Sequence, residues 1–163
     1  MRRCRQQLAP DQCLDILRHA TAGTLAVLGD GDYPYAVPLS FVYHEGCIYF
    51  HSARTGHKID AIQCHPKASF CVIERDEVHA EQYTTHFVSV IAFGRICIVD
   101  DDRERVEAAW MLGSKYNPGD EAGLQRELDK GLAHMAVMRL DIEHLTGKQA
   151  IELVTASTRP ATT

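Results

Sequence analysis

Tyr35-Ala36-Val37-Pro38-Leu39-Ser40-Phe41-Val42-Tyr43-His44, then Glu45-Gly46, then Cys47-Ile48-Tyr49-Phe50-His51, reads as two strands joined by a tight turn. Tyr35, Val37, Leu39, Phe41 and Tyr43 alternate and would share one face of a pleated strand. Glu45-Gly46 supplies the connection, since a two-residue hairpin turn calls for residues that tolerate positive φ. Pro38 interrupts the pattern. With no N–H to give, it belongs on an edge, at a bulge, or where something other than a strand lies alongside.

Upstream, Thr24-Leu25-Ala26-Val27-Leu28 runs into Gly29-Asp30-Gly31-Asp32, a second hairpin signal. Before it, Pro10 and Asp11 open a helix with Cys13, Ile16, Leu17 and Ala20 at helical spacing, and Gly23 is placed to cap its end. Downstream, residues 56–64 predict a short helix stopped before Pro66, with Ile59 and Ile62 inward. Strands follow at 68–78 and 85–99, the second bent or bulged at Gly94. Asp100-Asp101-Asp102 caps a helix over 103–115 that carries Val106, Ala109, Trp110 and Gly113 on one side. Asn117-Pro118-Gly119 breaks it, a polar segment at 120–130 makes a second helix, and residues 134–142 alternate as a last strand. An apolar piece, 149–154, follows Gly147-Lys148.

Closely spaced strands joined by short turns pair antiparallel, which excludes a doubly wound parallel sheet. The expectation is a mainly β domain: a six-stranded antiparallel barrel with short peripheral helices, spanning residues 1–155, and a disordered tail at 156–163.

The 163 residues suit one domain with a single core. Seventeen basic against twenty-two acidic residues give a net charge of −5, and no basic stripe interleaved with aromatics offers a nucleic-acid surface. No apolar run reaches the ~20 residues that span a bilayer. The basic start, Met1-Arg2-Arg3-Cys4-Arg5, is not followed by an apolar region, so the expected location is the cytoplasm. None of the six cysteines forms a C-x-x-C pair. Cys47, Cys71 and Cys97 fall in apolar strands and read as buried free thiols, whereas Cys4 and Cys64 are placed to meet solvent. His79-Ala80-Glu81 spells the H-x-E of zinc deaminases but lacks its P-C-x-x-C partner, so no metal site is expected.

The chemistry-bearing stretch is His51-Ser52-Ala53-Arg54-Thr55-Gly56-His57-Lys58. A strand ends, a glycine turn follows, and a lysine sits in the first turn of a helix. Helix-terminal N–H groups, a hydroxyl and an ammonium together make a sensible phosphate site. A glycine and a lysine after a strand are common, so this pattern alone fixes no ligand.

Pro38-Leu39-Ser40-Phe41, the hairpin, His-Ser-Ala-x-x-Gly-x-Lys at 51–58, the short helix and Pro66 together resemble the pyridoxamine-phosphate-oxidase-like flavin proteins, and among them the 5-nitroimidazole-resistance branch. The resemblance runs from about Gly23 to Val154. It implies a split barrel that forms a homodimer with FMN in two clefts at the subunit interface. By position, Val37, Pro38, Leu39 and Ser40 would line the flavin ring, and His51, Ser52, Ala53, His57 and Lys58 would hold the ribityl chain and phosphate. Ser89 is a further candidate, and Trp110 and Tyr116 would reach the partner's flavin. No counterpart of the oxidase's C-terminal arginine-and-histidine motif follows Leu145. The implied activity is therefore an oxidoreductase passing electrons from a reduced nicotinamide to a small acceptor such as a nitro-aromatic. The alternatives are a flavin carrier or sensor without turnover, and, given nine histidines, a split barrel that binds haem.

Overall fold

The computed structural model describes residues 4–157. Helix α1 (Pro10–His19) leads into strands β1 (Ala22–Leu28), β2 (Pro34–Ser40), β3 (Val42–His44) and β4 (Cys47–Ala53). Helix α2 (His57–Cys64) precedes the long strands β5 (Lys67–His79) and β6 (Thr84–Ile98). Helices α3 (Asp102–Tyr116) and α4 (Glu121–Gly131), strand β7 (Met135–Gln149) and helix α5 (Ile151–Ser157) complete the described residues.

All seven strands lie in one antiparallel sheet, in the order β2-β1-β5-β6-β7-β4-β3. The strand expected over 35–44 is therefore two strands. β2 pairs with β1 at one edge of the sheet, whereas β3 pairs with β4 at the other. One residue, Phe41, must leave both ladders to carry the chain across. The sheet curls because its two ends are joined covalently there, and no hydrogen-bonded ladder closes it. The result is a barrel split between β2 and the end of β4, with seven strands where six were expected.

Phe41, Phe50 and Phe70 fill its centre. All three are fully buried, and Phe70 meets the other two rings at 4.8 and 5.0 Å. Each buried aromatic contributes about 1.5–3 kcal/mol relative to exposure.

Gly23 differs from its expected role. α1 ends at His19, with the Ala20 N–H donating to the Ile16 carbonyl, so Gly23 is not its cap. Gly23 lies inside β1, where a Cβ would stand 2.4 Å from the Phe70 ring. The last strand, expected over 134–142, runs on through Gly147 to Gln149. A Cβ at Gly147 would meet Cys13 Sγ at 2.5 Å, so the bare backbone lets α1 lie against the sheet. Gly94 sits at the bulge expected of it: the β6–β7 register shifts between Phe93 and Gly94, and a Cβ would meet the Asp141 carbonyl oxygen at 1.9 Å.

Cys47, Cys71 and Cys97 are half-buried, not buried as expected. Each follows or precedes a buried residue of its strand, so the pleat turns it to the outer face. Cys4 and Cys64 are exposed. Helix α5 reaches into the expected tail as far as Ser157, and residues 158–163 lie outside the described residues. No helix among the described residues is long and apolar enough to cross a membrane.

Candidate functional site

The split in the barrel leaves two strand edges facing one another. β3 covers β4 only as far as Tyr49, so Phe50–Ala53 is paired with β7 on one side and with no strand on the other among the described residues. β2 likewise has β1 as its sole strand partner among the described residues, and β2 approaches β4 across the gap. Backbone N–H and C=O groups along both edges are left for something that is not a strand. Pro38 costs this edge little, because its missing donor breaks no central ladder.

The alternation along β2 sorts its residues. Val37 and Leu39 turn inward and pack on the core, whereas Pro38 and Ser40 turn outward and are exposed. Val37 and Leu39 therefore meet the gap through their backbone. Across it, His51 and Ala53 are exposed and Ser52 is half-buried, its hydroxyl donating to the Ala53 carbonyl at 2.8 Å.

At the end of this edge the chain turns through Gly56 into α2. Gly56 has φ 130°, which favours glycine, and nothing lies within 4 Å of where a Cβ would stand. The Gly56 carbonyl accepts from the Ile59 and Asp60 N–H groups, leaving the N–H groups of His57 and Lys58 outside the intrahelical ladder. Lys58 is half-buried and forms no hydrogen bond or ion pair among the described residues. His57 is held elsewhere: its ring stands edge-on to Tyr35 at 4.6 Å, with Nδ1 3.5 Å from the Asp30 carboxylate. Ser89 lies apart from the gap, on the outer side of β6 between Ile73 and Lys148.

Helix α3 roofs the gap. The Asp101 carboxylate caps its N-terminus, accepting the Glu104 N–H at 2.8 Å. Glu104 accepts from the Tyr49 hydroxyl at 2.9 Å and from Arg139 at 2.7 Å, fastening the helix to β4 and β7. Burial, and then Glu104 itself, push the Tyr49 phenol well above its ordinary range. The last turn of α3 carries Lys115 and Tyr116 down to Phe41, where they bind the backbone that left both ladders. Burial pulls the Lys115 ammonium below its ordinary range.

Between α3, α4 and the two edges lies a cavity of about 590 Å³, lined by Ser40 and His51 on the sheet side. Beyond Met135, which borders it, a smaller cavity of about 250 Å³ is lined by Arg54, Gln63 and Arg105. Neither cavity was legible in the sequence. The segment 120–130 read as polar, yet its Leu124 and Leu128, with Leu132 beyond, keep helical spacing. That stripe was the available signal. Tyr116, expected to reach a partner's flavin, spends its hydroxyl on its own chain. Trp110 does not line the larger cavity, although its neighbour Ala109 does.

The family model described as pyridoxamine 5'-phosphate oxidase matches residues 9–149. No curated protein matches the chain. Among solved structures, a FAD-binding protein of Mesorhizobium loti is 28% identical, over 89% of this chain and 97% of that one, with a TM-score of 0.66. A candidate 5-nitroimidazole antibiotic resistance protein of Bacteroides thetaiotaomicron is 20% identical, over 88% and 86%, with a TM-score of 0.77. A FAD- and haem-binding protein of Mycobacterium smegmatis is 21% identical, over 96% and 81%, with a TM-score of 0.74. The last two likenesses speak to the fold.

Proposed function

The chain belongs to the pyridoxamine 5'-phosphate oxidase family, and on that premise we propose that it is a flavin-binding oxidoreductase acting on small molecules. The observation that carries this reading is the pair of unpartnered edges, β2 and the end of β4, with a bare helix N-terminus and the unpaired Lys58 at one end of the gap. A flat ring lies naturally against two strand edges, and a phosphate against N–H groups and an ammonium.

In this reading FMN is the cofactor. Its ring lies along the backbone of Val37, Pro38, Leu39 and Ser40. His51, Ser52 and Ala53 border its chain, and Lys58 with the N–H groups of His57 and Lys58 receives its phosphate. Bound there, the flavin supplies the hydride and electron chemistry, while the protein binds, orients and shields it. Ser40 and His51 are the polar side chains at the ring. The protein works as a homodimer, in which the partner's outer face closes the cleft and Ser89 reaches it from the other subunit. A reduced nicotinamide serves as electron donor and a small organic molecule as acceptor.

A second cofactor reading has its own support. The Arg54–Gln63–Arg105 cavity adjoins the proposed phosphate end and is polar, as the adenylate half of FAD would require. The Mesorhizobium loti relative binds FAD.

The absorption spectrum of the purified protein tests the proposal. Bands near ~450 and ~375 nm that survive gel filtration are the expected result. Chromatography of the released flavin then separates FMN from FAD, and bleaching by NADH or NADPH separates a reductase from a carrier. A Soret band near ~400 nm with no flavin bands would overturn the reading in favour of haem.

A further inference from the structure

Helix α4 is amphipathic, yet none of its residues is buried. Leu124 and Leu128, with Leu132 just beyond, form one apolar stripe and stand only half-covered. The stripe does face a neighbour. A Cβ on Gly113 of α3 would lie 2.2 Å from Leu124, so the two helices touch at that point. Below the contact the stripe lines the 590 Å³ cavity, opposite Ala109 and Leu112, with Met135, Ser40 and His51 below. A soluble protein gains by burying such a stripe, and the size is that of pockets that hold small organic ligands.

The charges around the cavity narrow the ligand. No lysine or arginine lines it among the described residues, and Glu127, exposed and ion-paired with Lys130 at 3.5 Å, stands at its wall. On α3, Lys115 is turned to the carbonyls of Ala20 and Phe41, and Arg105 is held by Asp102 and by the carbonyls of Leu132 and Met135. An anion entering here would find the neighbouring cations already engaged and no partner for its own charge in the lining.

We propose that this cavity binds an uncharged or cationic, largely apolar compound and rejects anions, the phosphate ester in the family's name included. That compound is the reaction partner of the flavin cleft, which the cavity joins at Ser40 and His51. Only this last assignment rests on the proposed function. The cavity's ligand class stands on its lining.

Two fluorescent probes with the same ring frame test it: N-phenyl-1-naphthylamine, which is neutral, and 8-anilinonaphthalene-1-sulfonate, which is an anion. The full chain as purified should bind the neutral probe about tenfold or more tightly than the anion. Glu127→Gln should narrow that gap by strengthening anion binding. Leu128→Trp, which fills the cavity from a half-exposed position, should weaken the neutral probe about tenfold or more while flavin absorbance per protein stays constant. Should that variant misfold by circular dichroism, Leu128→Lys replaces it and should reverse the preference towards the anion. Equal affinity for both probes overturns the proposal. So does neutral-probe binding unaffected by the substitution at Leu128, or displacement of the probe by added FMN or FAD. Probe selectivity in a protein that takes up no flavin would instead overturn the flavin reading and leave the cavity assignment standing.

Discussion

The hydroxyl of Tyr116 accepts the backbone N–H of Phe41 at 2.8 Å, joining the last turn of α3 to the residue at which the chain leaves one edge of the barrel for the other. The same hydroxyl lies 3.0 Å from the Phe41 carbonyl, which also accepts from Lys115 Nζ at 3.0 Å. The Lys115 ammonium stands 4.2 Å from the centre of the Phe41 ring. A crossing between two sheet edges leaves a buried residue outside both ladders, and its polar groups need partners from elsewhere. Here α3 supplies them.

Tyr116→Phe removes that partner while keeping the ring. An unsatisfied backbone group costs about 1–3 kcal/mol, which for a domain of this size lowers Tm by about 3–10 °C. Differential scanning calorimetry checks it. An unchanged Tm would mean that water replaces the phenol at no cost.

Lys58→Ala addresses the cofactor cleft. Losing a charge-assisted contact to a phosphate costs about 1.5–3 kcal/mol, or about 10–150-fold in affinity. The expected outcome is that loss in a flavin-fluorescence titration with Tm of the apoprotein little changed. Unaltered affinity would remove Lys58 from the phosphate site.

Much of this architecture was legible in the sequence because its signals are local. The hairpin at Glu45-Gly46, the cap at Asp101 and the bulge at Gly94 each rest on a few consecutive residues, and each lies where the pattern put it. The division of β2 from β3 was not legible. Apart from Pro38, Tyr35 to Tyr43 alternates as one strand would, and the division falls at Phe41 because the two halves find different neighbours on opposite edges. Gly23 misled for a related reason. It is glycine because of a distant contact, with Phe70, and local punctuation carries no trace of that. The stretch 51–58 announced a phosphate-binding pattern, but the commitment of the His57 ring to Tyr35 and Asp30 is a tertiary fact. The cavity under α4 is tertiary as well, since half a helix stripe becomes a wall only once α3 stands opposite.

Cys47 offers a test in pH. Burial first, and then its hydrogen bond to the Asp141 carboxylate at 3.3 Å, raise its thiol to about 11. The folded state therefore favours the protonated thiol. Its contribution to stability is complete below the ordinary thiol pKa of ~8.5 and is lost as pH rises through about 11. In pulsed iodoacetamide labelling of the native protein, read by peptide mass spectrometry, exposed Cys64 should react promptly at pH ~8.5 and Cys47 should lag, catching up only as pH nears its own pKa. Equal rates at pH ~8.5 would show that the thiol is neither shielded nor held by Asp141.

The proposed homodimer needs a contact face, and the outer face of the sheet suits it. Thr24 of β1, Pro38 and Ser40 of β2, Cys71 of β5 and Ile91 of β6 turn outward from strands that lie side by side, and all are small or uncharged. Ile73 continues that face and is 65% exposed, a large apolar side chain left in water. A twofold contact places the patch against its own copy, so one substitution acts twice in the interface. Ile73→Arg should bring two like charges together there. Light scattering after gel filtration should give twice 18.2 kDa for the parent protein and 18.2 kDa for the variant. Flavin should be lost together with the dimer, because in the proposed assembly the partner's face closes the cleft. A variant that remains a flavin-loaded dimer would move the interface off this face, and a flavin-loaded monomer in the parent protein would end the shared-cleft proposal.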